Sequence, residues 1–525
     1  MGIDSSAVVC VETSARHAAP VTSAFGGVAE YLLAVGDDDA VAFAGGGSRV
    51  TYGQLRQDVA ALAASLAAIG LSRGAPVALM AANGAFWAAA YLAIMQRGLV
   101  VVPLPVVLRA DEVAARTAFV GANAVIVDRR HHRLLASSGL AVITESALDA
   151  STPWSHRDDV DIDEGSDAAY LFTSGTTGSP RVVRLTHANI RANTESILGY
   201  LDIRASDRAL VVLPYSYVFG ASLLHTHLRV GAALVDHASA AFPETIVTEL
   251  ERQRCTVFAG VPSIFHALLR NSSFSSRPLP QLRIVQQAGG RLPLPLLHEF
   301  AEAQPQARIH VMYGQTEATA RLSALDPELL LTKPGSIGQG IPGVSLRVVD
   351  ESGRPVAPGE VGEIRARGAN ISPGYLGDDG ATASKMPDGE LRTGDLATVD
   401  DEGYIYVVDR AEDFIKSWGY RISSQDVEAA AIGLTDLVAV AAVGVPDASA
   451  GERIELVAVR RPGSTLTEDE VLAQCRGVLP RHSVPAAVHF VERLPVNANG
   501  KVLKREVRRL LEARVETEPG RDRES

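Results

Sequence analysis

Lysine is scarce in this 525-residue chain: Lys333, Lys385, Lys416, Lys501 and Lys504 are the only five, so each stands out. Cysteine is scarcer still. Cys10, Cys255 and Cys475 lie far apart, which excludes a disulfide framework or a Cys-rich metal site and points to a reducing cytoplasm. Basic residues are outnumbered, 49 against 61 acidic ones, for a net charge of −12. Such a chain repels a phosphate backbone, and nucleic acid is excluded as a partner. No apolar run reaches the roughly 18 residues of a membrane span, and the N-terminus lacks the basic and apolar regions of a signal peptide. A soluble cytoplasmic protein without a membrane partner is expected. Repeats with a period of about 20 to 50 residues are also missing, which removes solenoids and propellers.

What is present is a long, apolar chain with 47% hydrophobic and 21% charged residues, too large for one core, so several globular units are expected. Residues 76–80 read as a buried strand, 85–97 as a helix, 99–103 as the next strand and 110–122 as another helix, a βαβα order that predicts an α/β fold. From residue 337 to 409 short strands alternate with Gly and Pro, predicting a β-rich subdomain. A new pattern follows: a helix at 424–433, strands at 438–443 and 454–459, and a helix at 467–478. The expected organisation is a large N-terminal domain over residues 1–409, built of αβ subdomains plus the β-rich one. A small, mobile α+β domain over 410–515 and a disordered tail over 516–525 complete it.

Leu171-Phe172-Thr173-Ser174-Gly175-Thr176-Thr177-Gly178-Ser179-Pro180-Arg181 is a strand end running into a Ser/Thr/Gly loop. Backbone N–H groups and hydroxyls in such a loop can wrap a polyphosphate, and glycine lets the chain approach it closely. The Gly-Lys-Ser/Thr ending of a Walker loop is missing. This stretch resembles the phosphate loop of the adenylate-forming superfamily of acyl-CoA synthetases, peptide-synthetase adenylation domains and luciferases. Further motifs resemble that superfamily in the same order: Tyr313-Gly314-Gln315-Thr316-Glu317, Thr393-Gly394-Asp395, Asp409-Arg410 through Ile422, and the segment from Pro495 to Lys504 that holds Lys501.

The resemblance implies a role for each motif. Thr173, Ser174, Gly175, Thr176, Thr177, Gly178 and Arg181 would hold the triphosphate of ATP. Thr316 and Glu317 would act at the phosphates, with Glu317 as a hard oxygen ligand for Mg²⁺. Tyr313, Gly314 and Gln315, facing Ala288, Gly289 and Gly290, would form the adenine site. Asp395 and Arg410 would hold the ribose. Lys501 would reach the substrate carboxylate and the α-phosphate, where charge develops. The small domain would turn about Glu412 to bring Lys416, Trp418 and Gly419 to the active site as a channel for a pantetheine arm.

Two departures stand out. Arg181 and Val182 replace the usual Lys and Gly, and Tyr217 stands where many acyl-CoA synthetases have His. No Asp lies between Pro214 and Leu228 to pair with an ammonium, which argues against an α-amino acid. The implied acyl pocket (Tyr217, Val218, Phe219, Ser222, Ala259, Gly260, Val261 and Gly290) is small and mostly apolar and suits an alkyl or aryl acid. Arg321 is read as part of a rim salt bridge, with a second substrate carboxylate as the alternative. The expected activity is conversion of a carboxylic acid and ATP to an acyl-adenylate and pyrophosphate, then transfer to the thiol of CoA. Transfer to the phosphopantetheine of a carrier protein is the close alternative, and a non-catalytic nucleotide sensor the remote one.

Overall fold

The computed structural model describes residues 27–135, 138–148, 161–173, 181–237, 241–410, 413–434, 436–447, 449–496 and 502–517. Among them are four sheets. The largest runs, neighbour by neighbour, through Gln339–Gly340, Ser323–Leu325, Arg308–Tyr313, Ile284–Gln287, Val257–Gly260, Arg208–Val211, Ala233–Asp236, Val41–Gly45 and Ser48–Thr51. Its six central strands are parallel. Their apolar runs reflect burial on both faces.

The second sheet holds Pro76–Met80, Val100–Pro103, Ala124–Val127, Ala141–Ile143 and Asp167–Thr173 in parallel, with Arg181–Thr186 and Gly374–Tyr375 added antiparallel. Between the two large sheets lies the helix Ala85–Gln96. Trp87 through Met95 are all buried in one core shared with both sheets. A helix apolar all round is what such a central position requires.

The β-rich subdomain is a four-stranded antiparallel sheet of Val344–Val349, Gly362–Gly368, Leu391–Val399 and Ile405–Arg410. Beyond it, Ile415–Ser417, Tyr420–Ile422, Leu437–Asp447, Gly451–Arg460 and Ala487–Phe490 form the C-terminal sheet, packed on Ser424–Ile432 and Glu468–Val478. Among the described residues no helix is long and apolar enough to cross a membrane. Cys255 and Cys475 are buried and unpaired.

Element boundaries moved where glycine or a turn decides them. The helix expected to end at 122 stops at Val120, because Gly121 takes a left-handed φ of 71° and caps it. The strands expected at 438–443 and 454–459 are the middles of a longer hairpin, closed where Asp447 Oδ1 accepts from the N–H groups of Ser449 and Ala450 at 2.8 and 2.9 Å. The last helix, Lys504–Thr517, extends two residues into the expected tail.

Candidate active site

Four neighbouring parallel strands end side by side, and the carboxyl end of a parallel sheet is where ligands bind. Arg208–Val211 leads to Tyr217 and the helix Val218–Val230; Val257–Gly260 leads to Val261; Ile284–Gln287 leads to Ala288, Gly289 and Gly290; Arg308–Tyr313 leads to Gly314 through Glu317. The tertiary fold therefore gathers these dispersed candidates at one end of the sheet. Glycine is required at two turns. A Cβ on Gly314 would sit 1.8 Å from the carbonyl oxygen of Ala320, and Gly289 has φ +85° with Val261 Cγ1 only 2.9 Å from its Cβ position.

Tyr313 and Asp395 meet although 82 residues separate them: the Tyr313 hydroxyl donates to Asp395 Oδ2 at 2.5 Å. Arg410 lies opposite Asp395 in the strand register and places its Nε 3.3 Å from Oδ1. Burial, then the Asp395 charge, pushes the Tyr313 hydroxyl far above its ordinary range. It stays a donor. The carboxylate is thus held by two donors and keeps lone pairs for further hydroxyls.

Glu317 follows Thr316 in a short 3₁₀ turn, Thr316–Ala318. Its Oε1 accepts the Tyr375 hydroxyl at 2.8 Å, while among the described residues no donor reaches Oε2. The Arg181 guanidinium lies 5.5 Å from the ring centroid of the same Tyr375, and its Nε is 3.9 Å from Asp378 Oδ2. Burial lowers the pKa of Lys385, and Glu317 and Asp395 oppose the shift; its Nζ donates to the Thr393 carbonyl at 2.9 Å. Tyr375 and Lys385 are functional candidates that sequence reasoning missed. Scarcity of lysine marked Lys385 without giving it a place; nothing local marked Tyr375, whose position comes from pairing with the strand Arg181–Thr186.

On the acyl side, Tyr217 precedes the helix whose first turn carries Val218 and Phe219. Burial raises the pKa of the Tyr217 hydroxyl, and the charges of Arg321 and Arg410 oppose the shift. Ser222 donates to the Phe219 carbonyl at 2.7 Å, so its hydroxyl hydrogen is engaged within its own helix. Gly260 packs on the Phe265 ring, 3.2 Å from its Cβ position. Arg321 corrects the sequence reading: among the described residues it forms no rim salt bridge. It is 2% exposed, and its guanidinium stacks 4.1 Å from the Phe219 ring centroid.

In the small domain, Lys416 and Trp418-Gly419 belong to a hairpin whose two turn residues have φ of 52° and 78°, the primed geometry that favours glycine. Trp418 is 64% exposed. Asp409, fully buried, accepts from the Ser424 N–H at 2.7 Å and its hydroxyl at 2.6 Å, tying the last strand of the large domain to the first helix of the small one. Arg291 and Asp426 pair across the two at 3.0 Å. Ser174, Gly175, Thr176, Thr177 and Gly178, the hinge candidate Glu412 and the catalytic candidate Lys501 lie outside the described residues. Thr173, which ends the strand before that loop, pairs with Arg181, and Val496 pairs with Val502.

The AMP-binding enzyme family matches residues 33–376, and the AMP-binding enzyme C-terminal domain matches 426–501. A feruloyl-CoA synthase from Amycolatopsis sp is 35% identical over 472 residues, covering 88% of this chain and 94% of that protein. A 2-succinylbenzoate–CoA ligase from Bacillus cytotoxicus is 29% identical over 466 residues, covering 88% and 94%. The crystal structure of ATP-bound MatB from Rhodopseudomonas palustris superposes with a TM-score of 0.83 at 26% identity, covering 93% of this chain and 99% of that one. This chain belongs to the AMP-binding enzyme family, as an AMP-forming acid–thiol ligase of the acyl-CoA synthetase type.

Proposed function

We propose that this enzyme activates an alkyl or aryl carboxylic acid in the cleft between Tyr217 and Asp395 and passes the acyl group to CoA, acting in the cytoplasm. The observation that carries the reading is the convergence of Asp395, held by Tyr313 and Arg410, with Glu317, held by Tyr375. An ionised carboxylate with two fixed donors and free lone pairs suits the vicinal hydroxyls of a ribose. Glu317, with one oxygen pinned and the other open, suits a hard cation. Mg²⁺ held there would keep waters and phosphate oxygens as its other ligands. When bound there, it would neutralise charge on the phosphates.

In this reading Thr173, the loop 174–178 and Arg181 bind the triphosphate, with Arg181 supplying a permanent charge. Ala288, Gly289, Gly290, Gly314 and Gln315 leave room for the base, and Thr316 orients Glu317. Lys501 supplies the cation at the α-phosphate for adenylate formation. Rotation about Glu412 then withdraws Lys501 and brings Lys416, Trp418 and Gly419 to the cleft for the thiol.

The test is a panel of alkyl, aryl and amino acids followed by pyrophosphate release, repeated with CoA and with a phosphopantetheinylated carrier protein. An alkyl or aryl acid turned over to a CoA thioester is the expected result. Faster release with an amino acid than with every other acid, or acyl transfer to the carrier alone, would overturn it.

A further inference from the structure

Two arginines are buried among the described residues, Arg56 and Arg321. Arg56 pairs with Asp38 at 2.5 Å and donates to three backbone carbonyls. Arg321 has no such arrangement. Among the described residues no carboxylate lies within ion-pair distance of it. Its Nε reaches only the Met312 sulfur at 3.3 Å, and its Nη2 is buried with no hydrogen-bond partner. The groups around the guanidinium are the Phe219 ring, Met312 and the hydroxyls of Tyr200 and Tyr217. A cation over a buried aromatic face recovers only part of the cost of removing an ion from water.

The side chain is not there by slack. The Arg321 carbonyl accepts from the side-chain amides of Asn193 at 3.1 Å and Asn370 at 2.8 Å. Just before it, Thr319 is held at φ +65° while its hydroxyl donates to the Asn370 carbonyl at 2.7 Å. Backbone strain in a β-branched residue is retained only where the surroundings enforce it. The chain is thus bent and clamped so that a cation lies against the Phe219 ring, with its buried Nη2 left without a hydrogen-bond partner.

We propose that Arg321 is a specificity-determining residue that binds a second carboxylate at the end of the substrate opposite the one activated. The inference rests on Tyr217 and Phe219 lining the acyl pocket, as proposed above. A distal carboxylate supplies the counter-charge that the fold withholds and an acceptor for Nη2. The enzyme is therefore selective for dicarboxylic acids over monocarboxylic acids of the same length and shape.

The experiment compares three acids of one carbon skeleton, ending in a carboxylate, a hydroxyl or a methyl group, by kcat/KM for pyrophosphate release in the wild type, Arg321→Met and Arg321→Lys. Sites built to satisfy a buried polar partner discriminate strongly. The wild type is expected to favour the carboxylate-ended acid by about 10²-fold or more over the methyl-ended one. Arg321→Met should collapse that ratio at least about tenfold, and Arg321→Lys should keep part of it. Replacing a buried charge with an apolar side chain of similar volume is commonly neutral or stabilising, so the Met variant should melt no lower than the wild type without ligand. Equal losses on all three acids, or wild-type preference for the hydroxyl- or methyl-ended acid, would overturn the inference while leaving the ligase reading intact. Failure of every acid to release pyrophosphate would overturn both.

Discussion

Tyr375→Phe isolates one atom of the proposed metal site. The ring is retained, so its packing and its contact with Arg181 at 5.5 Å persist; only the hydroxyl that donates to Glu317 Oε1 at 2.8 Å is lost. A hydrogen bond to a charged acceptor contributes about 1.5–3 kcal/mol, and every 1.4 kcal/mol is about tenfold in an equilibrium constant. With no other donor to the Glu317 carboxylate among the described residues, loss of the hydroxyl frees that carboxylate to rotate. The metal must then orient it on binding. We expect the free Mg²⁺ concentration for half-maximal activity to rise about tenfold, with most of kcat recovered at saturating Mg²⁺ and little change in KM for the acid. The assay is pyrophosphate release titrated with free Mg²⁺ at fixed ATP. An unchanged Mg²⁺ midpoint, or an equal rise in KM for the acid, would refute the reasoning.

Lys501→Ala is expected to slow acyl-AMP formation about 10²- to 10³-fold, the usual effect of removing one preorganised charge donor; a normal rate in a single-turnover assay would remove Lys501 from the chemistry. Glu412→Pro should preserve acyl-AMP formation while greatly slowing thioester formation, because proline fixes φ at the proposed hinge; equal effects on both half-reactions, followed separately, would reject that hinge. Stability should depend on pH with a sign that buried groups dictate. Burial lowers the pKa of His187, His227, His266 and His310 to about 4 and of His225 to about 3. The unfolded chain therefore binds more protons between those values and about 6.5, and the melting temperature should fall as pH drops through that window. Asp236 acts oppositely: burial raises it from 3.8 to about 7, so it subtracts stability as pH rises between those values. Asp236→Asn should steepen the rise in melting temperature with pH, and a flatter profile in that variant would contradict the assignment.

The sequence by itself determined the α/β class, the β-rich subdomain and the order of the motifs, and it named the candidates for the nucleotide site. Those features are local. Hydrophobic periodicity needs only neighbouring residues, and motifs such as Thr393-Gly394-Asp395 place a reactive side chain beside the glycine that shapes its turn. Tertiary structure decided which distant groups act together. Tyr313 meets Asp395 across 82 residues, and Glu317 meets Tyr375 across 58, through sheet contacts that no local pattern encodes. Arg321 shows the same limit most clearly. Arginine is ordinarily a surface residue, and an exposed salt bridge was the natural reading from composition. Whether a guanidinium reaches water or lies over Phe219 depends on the strained turn at Thr319 and the clamping amides of Asn193 and Asn370, each drawn from a different part of the chain.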